Sequence, residues 1–237
     1  MNRNGNAYTF IYASVMVIIV AAILSFTAIT LKPLQKRNIE VEKKKNILTS
    51  ININVETDKA EEVYGKTITS AYVINSKGEV VEGDAFIVDL KKEQAKPLEQ
   101  RTLPVYEADL GDEGIKYVIP LRGSGLWGPI WGYIALNSNL NTIYGATFDH
   151  QGETPGLGAE IVTPAFQEVF KGKSIFNNNG EFVSLVVAKA GENAPADHKV
   201  DGVSGGTITS KGLQQMLYDD LSSYVEFFNK KKTEDYE

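Results

Sequence analysis

Between Tyr8 and Leu31 the chain carries no charged side chain. At about 1.5 Å per residue a helix of that run crosses a hydrocarbon core about 30 Å thick, so the lipid bilayer is the first partner to consider. A cleaved signal peptide would have a shorter apolar core, a more basic front and a small-residue cleavage site. Here only Arg3 precedes the run and Lys32-Pro33 follows it, so residues 8–31 are read as a retained transmembrane helix and residues 1–7 as a short tail. Tyr8, Tyr12 and Phe26 suit the membrane interfaces. Ala13, Ser14, Ala21, Ala22 and Ser25 are small enough either to face a partner helix or to face lipid. Lys32, Lys36, Arg37 and Lys43 to Lys45 follow the helix. A bare positive-inside count therefore places the remainder in the cytoplasm, although the rule weakens for long translocated domains.

The remainder is long enough for one globular domain. Residues 32–56 read as a charged, solvated stalk that continues as a helix to Ser50; residues 57–229 read as the domain and 230–237 as a frayed tail. The formal net charge of −6 and pI near 5.1 exclude nucleic acid as a natural partner. With no cysteine there is no disulfide, thiolate nucleophile or cysteine-ligated cluster. His150 and His198 are too few for a histidine-rich zinc site and are expected at the surface.

The expected class is α+β, with an antiparallel sheet flanked by helices. A short helix is expected near Lys59–Tyr64. Segments 70–75 and 79–82 flank Ser76-Lys77-Gly78 as a hairpin; 85–90, 103–106, 116–121, 131–136 and 140–148 are further strands, rich in β-branched and aromatic residues. Residues 91–100 read as a surface loop. Helices are expected at 159–170 and 211–229, with a strand at 182–189 between them. Leu213, Met216, Leu217, Leu221 and Val225 recur at three and four, which puts them on one helix face.

Three glycine-bearing stretches punctuate this pattern. Arg122-Gly-Ser-Gly-Leu-Trp-Gly-Pro129 joins two strands, and its Trp127 is expected to fill the core. His150-Gln-Gly-Glu-Thr-Pro-Gly-Leu-Gly158 precedes a helix. Asp201-Gly-Val-Ser-Gly-Gly-Thr-Ile-Thr-Ser210 opens the last helix. A glycine-lined helix start suits an anion such as phosphate, while Thr209 or Ser210 serves as the helix cap. Four hydroxyls, on Ser204, Thr207, Thr209 and Ser210, are equivalent by local chemistry.

Taken together, the apolar span, Gly125-Leu-Trp-Gly128, Gly152-Glu-Thr-Pro-Gly-Leu-Gly158 and Asp201–Ser210 resemble the C subunit of the sodium-translocating NADH:quinone oxidoreductase, over nearly the whole chain. The resemblance implies FMN in phosphoester linkage to Thr207, although Gly206 stands where the motif usually has alanine. It implies that Glu153, Thr154 and Leu157 line the isoalloxazine ring. Gly156, Gly158, Ser204, Gly205 and Gly206 would shape the cofactor site, and Lys189 would reach the flavin from a strand end. It further implies an electron relay in a membrane redox pump, other membrane subunits as partners, a flavin transferase for maturation, and an inner-membrane protein with its domain on the periplasmic side. The alternatives are the equivalent subunit of the Rnf ferredoxin:NAD oxidoreductase and a non-redox membrane-tethered binding module. No Gly-x-Gly-x-x-Gly loop running from a strand into a helix is present for a dinucleotide; Gly123-Ser-Gly-Leu-Trp-Gly128 has that spacing but joins two strands.

Overall fold

A computed structural model describes residues 5–189 and 191–234. Residues 1–4 of the expected N-terminal tail lie outside it. Helix α1, Asn6–Ser50, runs through the apolar segment and the charged one without interruption, with Pro33 inside it. By length and composition it can cross a membrane. Two of its hydroxyls are satisfied without water: Thr27 donates to the Ile23 carbonyl at 2.8 Å and Thr30 to that of Phe26 at 2.9 Å. The chain divides into two compact units, residues 1–43 and 44–237. The second unit begins within the stretch expected to be a solvated stalk, because Ile47, Leu48 and Ile51 are buried in its core.

In that second unit α2 (Ala60–Thr67) leads into β1 (Ile68–Ile74), followed by β2 (Val80–Val81), the short α3 (Leu90–Gln94), β3 (Leu103–Asp109), β4 (Ile115–Ser124), β5 (Pro129–Asn137) and β6 (Ile143–His150). These six strands form one antiparallel sheet in the order β2-β1-β3-β4-β5-β6. After α4 (Pro164–Glu168), strands β7 (Val186–Ala188) and β8 (Lys199–Asp201) pair in parallel, and α5 (Thr207–Ser222) and α6 (Val225–Glu234) close the described chain. Successive residues of a strand point to opposite faces. In β4, Tyr117, Ile119 and Leu121 accordingly join one apolar cluster, with Leu213, Met216, Leu217 and Leu221 of α5 and Phe227 and Phe228 of α6. Val118 joins a second cluster with Ile47, Leu48, Tyr106 and Ala135. The α+β class and the antiparallel sheet are as expected; of the five positions expected on one helix face, Leu213, Met216, Leu217 and Leu221 are buried in α5, whereas Val225 falls in α6 and is half-buried.

Several elements differ from expectation. Residues 85–90 are not a strand: Asp84 accepts from the Phe86 N–H at 2.8 Å and Asp89 caps α3, so two aspartates turn a run of strand-like composition into turn and helix start. Residues 91–100 are not a plain loop, since α3 and a 3₁₀ turn at Leu98–Gln100 occupy most of them. The helix expected at 159–170 is a 3₁₀ turn, Gly158–Val162, followed by α4, because Thr163 caps and Pro164 cannot continue a preceding helix. The strand expected at 182–189 shrinks to β7. The helix expected at 211–229 begins at Thr207 and breaks at Ser223-Tyr224, where the Tyr224 hydroxyl donates to the Pro104 carbonyl at 3.0 Å. The expected C-terminal tail is helical to Glu234, with Lys232 over the Phe176 ring at 3.7 Å; residues 235–237 lie outside the described residues.

Helix α5 is held against the end of β4 at Gly212, where a β-carbon would overlap the Ser124 carbonyl oxygen. Alanine is the better helix former by about 1 kcal/mol. Overpacking against strand backbone costs about 1–3 kcal/mol and outweighs that gain. Gly212→Ala is thus expected to destabilise the protein by roughly 1–2 kcal/mol, seen as a lower urea midpoint with an unchanged slope; an unchanged or raised midpoint refutes the steric reading.

Candidate functional site

The three glycine-bearing stretches, far apart in sequence, meet at one carboxylate. Glu153 is 4% exposed. Its Oε1 accepts from the Trp127 N–H at 2.8 Å and its Oε2 from the Thr209 hydroxyl at 2.5 Å, while its own N–H donates to His150 Nδ1 at 3.2 Å. The close packing explains two glycines. A β-carbon on Gly125 would lie 2.5 Å from Glu153 Oε1, and one on Gly158 would lie 2.5 Å from Oε2 and overlap the Thr209 hydroxyl. At Gly205 the reason is both conformational and steric: φ is +72°, and a β-carbon would come within 2.6 Å of Leu157 Cδ2.

The four hydroxyls of the last stretch are no longer equivalent. Thr209 is buried and donates to Glu153; Ser210 is buried and its Oγ accepts from the Val203 N–H at 3.0 Å. Neither is the helix cap expected of it. Both lie inside the first turn of α5, whose N-cap is Gly206, with no side-chain cap. Ser204 and Thr207 are exposed. Of the four, only Thr207 borders both recesses that flank the helix start.

The first recess, about 210 Å³, is bordered by Glu153, Thr154, Leu157 and Gly158 on one side and Gly205 and Gly206 on the other. The second, about 300 Å³, is bordered by Lys189, Ser204, Gly205 and Ser210. Nine of the ten residues singled out from the sequence, Thr207 included, therefore gather around the start of α5. Gly156 does not: it borders neither recess, and with φ of +74° it forms a turn whose N–H donates to Glu160 Oε1. Lys189 is exposed, and its backbone N–H, followed by the Lys211 ammonium at 3.2 Å, holds the Glu192 carboxyl below the usual range. Leu126 and Ile208 also border the first recess, at 46% and 57% exposure. The sequence reading missed both. The available signal was an apolar residue directly beside each glycine or threonine of the motifs. Trp127 corrects another expectation, being 68% exposed at the β4–β5 turn instead of filling the core. Both histidines are half-buried, and His198 Nδ1 lies 2.6 Å from the Ser174 carbonyl oxygen.

The residues fit a phosphate-bearing planar ligand. An uncapped helix start offers free N–H groups and the positive end of its dipole to an anion. Leu126, Leu157 and Ile208 offer apolar surface for a ring. A 210 Å³ recess is smaller than the roughly 300–1,000 Å³ pockets that bury most of a ligand, so a ring system seated there keeps an exposed edge. A larger recess, about 590 Å³, lies along α5 beside Gln94, Arg122, Met216 and Asp220. Size alone would favour it, yet neither the Gly152–Gly158 nor the Asp201–Ser210 stretch borders it.

A family of FMN-binding domains matches residues 125–222, which takes in the second and third stretches and the first from Gly125 onward. The chain is 34% identical over 229 residues to the C subunit of the Na(+)-translocating NADH-quinone reductase of Haemophilus ducreyi, covering 90% of this chain and 88% of that one. It is 31% identical to the corresponding C subunit of Vibrio anguillarum, covering 90% and 89%. Among solved structures, the crystal structure of the C subunit from Parabacteroides distasonis superposes with a TM-score of 0.78 at 50% identity, covering 84% of this chain and 96% of that one.

Proposed function

Because the chain belongs to the family of Na(+)-translocating NADH-quinone reductase C subunits, we propose that it carries FMN through its phosphate on Thr207 and relays electrons within the membrane complex. Membership makes it an FMN-binding, membrane-anchored subunit of an NADH-quinone reductase, with the other subunits as its partners. The observation that carries the finer reading is the sorting of hydroxyls: of four, Thr207 alone is exposed and borders both recesses.

Thr207 Oγ attacks the phosphorus of a flavin dinucleotide supplied by a flavin transferase. The new P–O bond replaces the pyrophosphate bond, a nucleoside monophosphate leaves, and the hydroxyl proton passes to a base of the transferase. A phosphate carried on Thr207 would meet the N–H groups and the positive dipole end of α5, which stabilise such a charge by about 0.3–1 kcal/mol. So weak a term cannot retain a flavin, and the covalent bond does. Thr154 and Leu157, with Leu126 and Ile208, border the ring's side of the site, and Lys189 and Ser204 the other recess. The flavin supplies one- and two-electron chemistry; the shallow recess leaves it an edge for exchange with a neighbouring cofactor. We assign the domain to the periplasmic side of the inner membrane, as the resemblance implies and against the bare charge count.

The test is to coexpress the full chain with a flavin transferase and map the flavin. A yellow protein whose colour survives denaturation, with the added mass on the peptide containing Thr207, is the expected result. A colourless chain overturns the redox reading.

A further inference from the structure

We infer that Glu153 is a positioning residue for the attachment site, acting on Thr207 through Thr209; this rests on the covalent-flavin reading above. No hydrogen bond joins Thr207 to Glu153, yet the first turn of α5 is anchored by that carboxyl through Thr209. The Thr209 hydroxyl, 1% exposed, donates to Oε2 at 2.5 Å, and Oε1 simultaneously holds the turn between β4 and β5 through the Trp127 N–H. Each carboxylate oxygen thus accepts from a protein donor, which makes Glu153 a brace under the recess. The brace ties two segments to the helix start through one side chain, whereas a helix cap serves a single turn.

Two further features show that the site is built around the brace. Gly125 and Gly158 each approach a carboxylate oxygen so closely that no β-carbon fits. The backbone N–H of Glu153 donates to His150, fixing the loop from its other side. Helix α5 has no side-chain cap of its own. The turn that bears Thr207 is therefore oriented by a residue 56 positions from Thr209 in sequence, which is the geometry of a second-layer support for a reacting hydroxyl.

The experiment measures flavin attachment to the full chain in detergent by a purified flavin transferase supplied with flavin dinucleotide, with rates expressed per folded molecule. Glu153→Gln and Thr209→Val are each expected to lower the kcat of attachment about tenfold or more, because a displaced reacting group loses much of its proximity advantage. KM is expected to stay unchanged, since the docking surface is intact. The double variant is expected to be no slower than the worse single one, the mark of two residues acting as a pair. Thr209→Ser, which keeps the hydroxyl, is expected to restore most of the rate. Wild-type rates in Glu153→Gln, multiplying effects in the double variant, or a Thr209→Ser as slow as Thr209→Val would each overturn the inference. Should Glu153→Gln lose its cooperative melting transition, the Thr209→Val and Thr209→Ser pair decides alone. A wild-type chain that takes no flavin ends the covalent-flavin reading; one that takes flavin at the same rate as Glu153→Gln ends only this one.

Discussion

Thr207→Val should yield a folded protein with no covalently bound flavin, while Ser204→Ala keeps its full complement. Valine matches threonine in shape and β-branching, and residue 207 is exposed at the first position of α5, so the fold loses little. What disappears is the nucleophilic oxygen. Neither buried hydroxyl can replace it, because Thr209 is bonded to Glu153 and Ser210 to the Val203 N–H. The effect is all-or-none, unlike the graded loss from a weakened contact. In-gel flavin fluorescence and intact mass after coexpression with the transferase read attachment, and a melting curve confirms folding. Flavin persisting on Thr207→Val would move the assignment, and its loss from Ser204→Ala would move it to Ser204.

Unfolding free energy should also fall as pH rises from about 4 to about 7, on account of Asp220 in the wall of the larger recess. This carboxyl is 8% exposed. Burial pushes it up to about 7, against the Arg122 N–H at 2.7 Å and the Gln94 amide at 2.8 Å, which both favour the charge; Asp219 pushes the same way as burial, and Arg101 opposes it. The unfolded chain releases this proton near the ordinary aspartate value of about 3.9. Between the two values the native state holds a proton that the unfolded state has lost, so stability declines with rising pH and levels off above about 7. The shift corresponds to something on the order of 4 kcal/mol. Urea titrations of wild type and Asp220→Asn at pH 4 and pH 8 isolate it, since carboxyls held low elsewhere, such as Glu62 through its hydrogen bond with Lys66, contribute to both proteins alike. A wild-type-minus-variant difference that does not move with pH would show that Asp220 titrates outside this window.

Much of the fold was readable because its signals are local. The inner face of α5 shows as a three-and-four repeat, the strands of the large sheet as β-branched and aromatic runs, and the Asn75–Glu79 turn as Ser-Lys-Gly. Misreadings arose where a single side chain overrode composition. Asp84 and Asp89 convert a strand-like run into turns, and Pro164 divides a helix. Strand β7 lay within an expected strand, but β8 and its parallel pairing with β7 were not legible, because a three-residue strand is defined only by its tertiary partner. Trp127 illustrates the same limit: its composition says core, but it sits on a turn whose backbone is needed by Glu153.

By itself, the sequence determined the apolar span, the α+β class and the three glycine-bearing stretches, since each depends on neighbours within a turn or two. Only the tertiary structure decided which of the four hydroxyls stay exposed. Reach is a property of what lies over a side chain: Glu153, 56 positions away, engages Thr209, while the loop folds back so that the Val203 N–H meets Ser210. Folding consumes two of the four, leaves Ser204 at the edge of one recess, and sets Thr207 where both open.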